Sequence, residues 1–307
     1  MKRRSLNVAP EDAGRALESF LEKALPAAAA DARALVERGA VYVQGRRCKG
    51  LGTKLVAGQS VMVVLEEGGK SALAPPPSAP AMPPVLFEDA HLVAVDKPAG
   101  LNAQPTPGGG GDNLLDAVSA YLGKPAGLIH RLDRETSGVT VFAKTKAATT
   151  ALSAEFREGT AKKRYLAIAG PGLPAAGAID LPLSKDPSRP GRYRATKAAH
   201  GVPAFTDFTR LFDSAEYTLV ALFPQTGRTH QLRAHLTALN APILGDARYG
   251  GKPEAAGLKA PRCLLHAQGL KLSHPASGKP LLLEAPVPED MLAFFRNAHV
   301  EPPRGAW

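Results

Sequence analysis

The stretch from Gly68 to Pro84 most constrains how this chain can fold. It carries six prolines between Pro75 and Pro84, set in alanine and serine. Each proline removes a backbone donor, clashes with a preceding helical turn and is excluded from the interior of a sheet. No helix or central strand can pass through such a stretch, and it holds too little apolar matter to fold alone. The chain is therefore expected to divide into a small domain over 1–67, a linker over 68–83, a large domain over 84–300 and a tail over 301–307. A length of 307 residues suits one sizeable core with a small appendage.

Charge narrows the partners. The chain has 38 Lys and Arg against 28 Asp and Glu, a formal charge of +10, which favours a polyanion and above all a nucleic acid. No run of about 18 apolar residues is present, so no membrane partner is expected. Cys48 and Cys263 lie far apart, which supports neither a disulfide framework nor a zinc knuckle. Lys2-Arg3-Arg4 runs into Glu11 and Asp12 without an apolar segment, which argues against a targeting peptide. A cytoplasmic monomer is the expectation.

Helical spacing of Ala13, Leu17, Phe20, Leu21, Ala24 and Leu25 predicts a helix over 12–25, and a second is expected over 30–38, closed by Gly39. Strands are expected at Val41 to Val43 and Ser60 to Val64, with a turn at Gln44-Gly45. In the large domain, Leu92, Val93 and Val95 suggest a buried strand ending at Lys97-Pro98-Ala99-Gly100, and Asp112 can cap a helix through Tyr121. A strand over 139–144, a helix over 146–158 and a strand over 164–169 follow. Strands at 206–211 and 217–223 are joined by a short connection, which favours antiparallel pairing. The expected class is α+β, with a mixed, largely antiparallel sheet behind a small N-terminal α/β domain.

Chemistry concentrates in His130-Arg131-Leu132-Asp133-Arg134-Glu135-Thr136-Ser137-Gly138, where ionisable side chains meet a turn that leads into an apolar strand. Alone, such a run reads as a charged surface turn. Three companions argue otherwise: the Lys97-Pro98-x-Gly100 turn, Lys163-Arg164-Tyr165 on a strand, and Thr226-Gly227-Arg228-Thr229-His230-Gln231-Leu232-Arg233-x-His235 at a helix start. Helical spacing puts Arg228, Gln231 and His235 on one face, away from Leu232, Leu236 and Leu239. Other chemistries fit poorly. His230 and His235 are five apart, which fails the zinc-protease spacing, Glu135 points away from Asp133 in an extended loop, and Gly108 to Gly111 lacks the Gly-Lys-Ser/Thr of a phosphate cradle.

Together these four motifs, in this order, resemble the RluA-type pseudouridine synthase family, over about residues 84–298. Pro242-Ile243-Leu244-Gly245-Asp246-x-x-Tyr249-Gly250 and Leu265-His266-Ala267 agree with it. The resemblance implies an isomerase, an intramolecular transferase that converts uridine to pseudouridine in structured RNA without organic cofactor or metal. It puts the catalytic aspartate at Asp133, the base-contacting tyrosine at Tyr165 and the aspartate-pairing arginine at Arg228. RNA contacts are expected at Lys97, His130, Arg131, Thr136, Lys163 and His230. The N-terminal domain resembles the RNA-binding domain named after ribosomal protein S-four, with two helices ahead of Val41-x-Val43-x-Gly45, and Arg33, Arg38, Arg46 and Arg47 are its candidate phosphate contacts. Ala30-Asp31-Ala32 stands where that family usually has Ser-Arg. Ribosomal RNA is the leading substrate and transfer RNA the second. The rival reading is a non-catalytic RNA-binding or ribosome-assembly protein on the same fold.

Overall fold

The computed structural model describes residues 2–26, 32–37, 39–44, 46–48, 50–65, 81–105, 112–196 and 201–305. Most of the expected linker, Arg38 and the Gly108 to Gly111 loop lie outside them, as do the side chains of Arg46 and Arg47. The described residues fall into two compact units, one before 66 and one after 80.

The first unit is a four-stranded antiparallel sheet, β1 (Lys2–Asn7), β2 (Val41–Val43), β3 (Arg46–Cys48) and β4 (Ser60–Leu65), in the order β1-β4-β2-β3. Two helices, α1 (Leu17–Ala24) and α2 (Ala32–Glu37), pack on it through Leu17, Phe20, Leu21, Leu35 and Val36. The first helix starts five residues later than its apolar spacing predicts. Pro10 to Asp12 form a separate 3-10 turn, and Gly14 at φ 78° breaks the helical path between them. Strands β1 and β3 were absent from the expectation because neither alternates apolar with polar residues. Pairing across the sheet creates them.

The second unit is built on a ten-stranded sheet. The elements in chain order are β5 (Val85–Glu88), β6 (Leu92–Lys97), α3 (Leu114–Leu122), β7 (Gly127–Leu128), β8 (Ser137–Ala143), α4 (Lys146–Glu158), β9 (Lys162–Ala169) and β10 (Ala176–Asp180). A two-stranded hairpin, β11 (Leu183–Lys185) and β12 (Tyr193–Ala195), lies off the sheet. Then come β13 (Phe205–Asp213), β14 (Thr218–Pro224), α5 (Gln231–Ala238), the small pair β15 (Glu254–Ala255) and β16 (Leu258–Lys259), β17 (Leu265–Ser273), β18 (Pro280–Glu284) and α6 (Glu289–Asn297).

Sheet order is β10-β13-β14-β9-β17-β8-β6-β5, with β18 on β17 and β7 on β8. Every pairing is antiparallel except β17 with β8, so the fold is α+β as expected. The expected helix over 146–158 has those bounds, since Thr145 caps Ala148 N and Gly159 closes it in the left-handed region. The cap of α3 is Asn113 rather than Asp112, its side chain accepting from Asp116 N.

The parallel junction explains a glycine in the Thr-Ser-Gly motif. Gly138 sits at φ 115°, and a Cβ there would lie 2.2 Å from the Ala267 carbonyl oxygen. Gly138→Ala is expected to cost about 2 to 4 kcal/mol, combining a backbone that L-residues avoid with overpacking. Urea denaturation of the variant would read this, and a stability within 0.5 kcal/mol of wild type, roughly the scale of a neutral surface change, would remove the argument. Beside it, Ser137 Oγ and His266 Nδ1 are 2.9 Å apart in the interior, binding the same two strands.

Candidate active site

The loop between β7 and β8 carries Asp133, and its shape is held from below. Lys97, with no exposed surface, donates its three ammonium hydrogens to the carbonyls of Pro98, Leu101 and Arg134 at 2.8, 2.9 and 3.2 Å. Gly100 N donates to the Arg134 carbonyl at 2.8 Å, and Thr136 N closes a turn on Asp133 O at 3.1 Å. The Lys-Pro-x-Gly turn is thus the floor of the Asp133 loop. Lys97 does not reach RNA, which corrects its expected role. Burial pulls its ammonium down to about 8, partly offset by Asp133 and Glu135.

His130 is corrected in the same way. Its Nε2 accepts from Val141 N at 3.1 Å, and its ring stacks on Phe156 at 4.5 Å. An acceptor nitrogen must be unprotonated, and burial holds the imidazole neutral, with its ionisation at about 3. His266 is also pulled down, by burial, to about 4. Both folded values lie below the ordinary 6.5, so the unfolded chain takes up these protons first as pH falls. Their stabilisation is complete above about pH 6.5 and drains away toward pH 4. His130→Gln keeps the acceptor without the titration, so its urea midpoint should fall less than the wild type's between pH 7.5 and 5. Parallel declines would count against His130 as a source of acid sensitivity.

The other expected residues of this unit do converge. Arg131, Asp133, Thr136, Lys163, Tyr165, Arg228 and His230 line one cleft, closed by Leu132, Leu232 and Leu265. Arg131 is exposed and its Nη2 reaches Thr229 Oγ1 at 3.5 Å, while Thr136 is buried in the wall. Tyr165 comes from β9, the strand between β14 and β17. Burial, and then the charge of Asp133, pushes its hydroxyl well above the ordinary tyrosine range. The ring therefore meets a ligand as a neutral phenol.

The expected partner of Asp133 is the wrong arginine. Arg228 precedes α5, is exposed, and its Nε donates to the Pro203 carbonyl at 3.0 Å. The guanidinium facing Asp133 is Arg233, with Nη1 3.5 Å from Oδ2, across 100 residues of sequence. Helix α5 starts at Gln231, and His230 before it lies at φ 56°, so the helical spacing that grouped Arg228 with Gln231 and His235 does not apply. Gln231 and His235 turn inward: Gln231 bonds Thr226, Phe205 and Thr206, and His235 meets Thr206 Oγ1 and Leu181 O. The two side chains that face Asp133 are His230, just before the helix, and Arg233, within it. His230 Nε2 lies 3.9 Å from Asp133 Oδ2.

Arg233 is itself gripped from behind. Asp246, nearly inaccessible, accepts from its Nε and Nη2 at 2.7 Å each. Burial opposes the charge on Arg233, yet this bidentate bond and the charge of Asp246 hold its ionisation above the ordinary arginine range. One face of the guanidinium is thus committed to structure and Nη1 is presented to Asp133. The roles of Asp246 and Tyr249 were missed from sequence, although a signal existed: an arginine inside an apolar helix face needs a buried carboxylate. Among the described residues no cluster of His, Cys, Asp and Glu could hold a metal ion, and no helix is long and apolar enough to cross a membrane.

A sheet of this topology, with an aspartate loop and a strand tyrosine in one cleft and a helix-borne arginine behind the aspartate, defines a class. Residues 91–238 match the family described as RNA pseudouridylate synthase. The dual-specificity RNA pseudouridine synthase RluA of Escherichia coli K12 is 43% identical over 208 residues, 66% of this chain and 92% of that one. The ribosomal large subunit pseudouridine synthase D of Neisseria meningitidis is 33% identical over 311 residues, 96% of this chain and 82% of that one. The structure of human RNA pseudouridylate synthase domain containing 4 superposes with a TM-score of 0.61 at 28% identity, covering 72% of this chain and 95% of that one. The chain belongs to the RNA pseudouridylate synthase family, in its RluA-type branch. It is an RNA pseudouridine synthase, an isomerase.

Proposed function

We propose that this synthase isomerises uridines in large-subunit ribosomal RNA, with Asp133 as the nucleophile, Tyr165 as the surface that holds the flipped base and Arg233 as the cation that faces the Asp133 carboxylate. The observation that carries the residue roles is the Asp133–Arg233–Asp246 chain, in which Asp133 lines the cleft and the other two lie behind it. Breaking the bond between uracil and its ribose, then rejoining them through carbon, needs a group that holds one fragment while the base turns. A carboxylate can do so. Asp133 is the cleft carboxylate that a charged guanidinium faces without a second, tighter claim upon it. Extrusion of the uridine costs a few kcal/mol of stacking, offset by contacts with the pocket. Arg131 and Lys163 at the cleft rim supply charge for the flanking phosphates, and Arg228, exposed at the same rim, joins them in place of the role first expected of it.

The choice of ribosomal RNA rests on extent of likeness. The large-subunit enzyme of Neisseria meningitidis aligns with nearly the whole chain, N-terminal unit included, whereas RluA aligns with two thirds of it. Such a substrate implies work in the cytoplasm. Mapping pseudouridines in cells with and without the protein tests this directly: loss of sites in the large-subunit RNA is expected, and loss confined to transfer RNA would replace the reading.

The N-terminal unit is proposed to bind RNA in the manner of the S-four-type domain it resembles, with exposed Arg33 on α2 among its contacts. Substituting Arg33, Arg46 and Arg47 by alanine should weaken binding to the natural RNA and reduce the log-affinity versus log-salt slope by about 0.7 to 0.9 per lost contact. An unchanged slope would leave these residues as a solvated face.

A further inference from the structure

Tyr249 belongs to none of the roles above, yet it touches each group that faces Asp133. Its backbone N donates to Asp246 Oδ1 at 3.2 Å. The guanidinium of Arg233 lies over its ring at 4.8 Å, as does that of Arg192. Its hydroxyl, deep against the hairpin, makes three contacts. It donates to the Tyr193 carbonyl at 2.9 Å, accepts from Tyr193 N at 3.0 Å and meets His230 Nδ1 at 3.1 Å.

A phenol has one hydrogen and two lone pairs. The Tyr193 carbonyl can only accept and its N–H can only donate, so all three contacts are satisfied together only when His230 donates, through an N–H on Nδ1. We propose that Tyr249 is a positioning residue for the isomerisation: its hydroxyl locks His230 in the tautomer that carries hydrogen on Nδ1, leaving Nε2 as the nitrogen turned to Asp133. The His230 ring is held in that orientation from two sides, since Tyr193 and Tyr249 both meet it edge to face, at 6.0 and 5.7 Å.

The consequence falls on Asp133. Arg233 shares its charge between Asp133 and Asp246, so His230, the second group near the Asp133 carboxylate, adds to its local field. With Nδ1 committed, Nε2 at 3.9 Å is the only ring nitrogen of His230 that can gain or lose a proton beside Asp133. Protonated, it adds a second cation; neutral, it presents a lone pair. The charged groups acting on His230 are Asp133, Asp246, Arg233 and Arg248, from the loop before β8, the loop after α5 and α5 itself. Burial pulls its ionisation down, and the charge of Asp133 works against that. The same hydroxyl ties the site to the β11–β12 hairpin, whose Lys185, Arg189 and Arg194 are exposed.

This inference rests on the reading of Asp133 as nucleophile, but its first test does not. Nitrogen-15 NMR of the histidine-labelled enzyme should show His230 Nδ1 protonated and Nε2 free in the neutral form. Tyr249→Phe keeps the ring and its cation contacts, and should remove that preference. At saturating RNA its kcat should fall about tenfold, the effect of losing one good hydrogen bond, with KM within about twofold and the folded spectrum retained. In a His230→Gln background the same substitution should change kcat less than twofold. A wild-type His230 with hydrogen on Nε2, a loss borne by KM alone, or an equal tenfold loss in the His230→Gln background would each overturn the proposal. Product formation by Asp133→Asn would sink the nucleophile reading and leave the tautomer result standing.

Discussion

Asp133→Asn should abolish pseudouridine formation, a loss on the order of 10⁴-fold or more, as for removal of other essential side chains from enzymes, while RNA affinity stays within a few-fold. The amide keeps the shape of the side chain and removes the nucleophile. Folding should survive, because Arg233 retains its tighter partner Asp246 at 2.7 Å when its contact to residue 133 at 3.5 Å loses charge. Single-turnover assay with radiolabelled RNA, alongside filter binding, separates the two outcomes. Turnover at the wild-type rate would exclude Asp133 as the nucleophile.

The second large effect separates two arginines. Arg228→Met should reduce RNA binding moderately and leave the chemical step nearly intact, since its guanidinium is exposed and rests on a backbone carbonyl. Arg233→Met should be severe in two respects. It strands Asp246 without its cation, which costs roughly 3 to 5 kcal/mol of stability, and it leaves two carboxylates facing one another. One of them then takes up a proton, because like charges oppose joint ionisation. Residual activity should therefore rise with pH as that proton leaves. Asp246→Asn added to Arg233→Met removes the stranded charge and should recover much of the stability without recovering activity. If the double variant turned over like wild type, Arg233 would be a fold element alone. If Arg228→Met were the more damaging at the chemical step, the pairing first read from the sequence would stand.

That mistaken pairing shows where sequence reasoning stops. The motif from Thr226 to His235 contains two arginines; the resemblance put the pairing on Arg228, and helical spacing supported it only by assuming that the helix ran through that residue. The left-handed backbone at His230 delays the helix by one turn and rotates the register. Lys97 and His130 misled for a related reason. Cations within a run of charge suggest phosphate contacts, but three carbonyls around Lys97 and the Val141 N–H on His130 turn both to supporting the backbone. Nothing local to those residues announces these bonds.

What the amino-acid sequence determined by itself is local chemistry and its punctuation. It set the helix of α4 between Thr145 and Gly159, the adjoining strands β13 and β14, and the presence of an aspartate, a tyrosine and basic side chains in four runs. Each depends on neighbours within a few residues, where steric and hydrogen-bonding preferences act directly. The tertiary structure alone decided which charges meet. Asp133 and Arg233 lie 100 residues apart, and their approach depends on β8 pairing in parallel with β17 at Gly138, on β9 lying beside β17, and on Asp246 fixing one edge of the guanidinium. Coulomb interaction falls off within a few ångströms in a hydrated cleft, so which ion pairs form is a property of packing between distant segments.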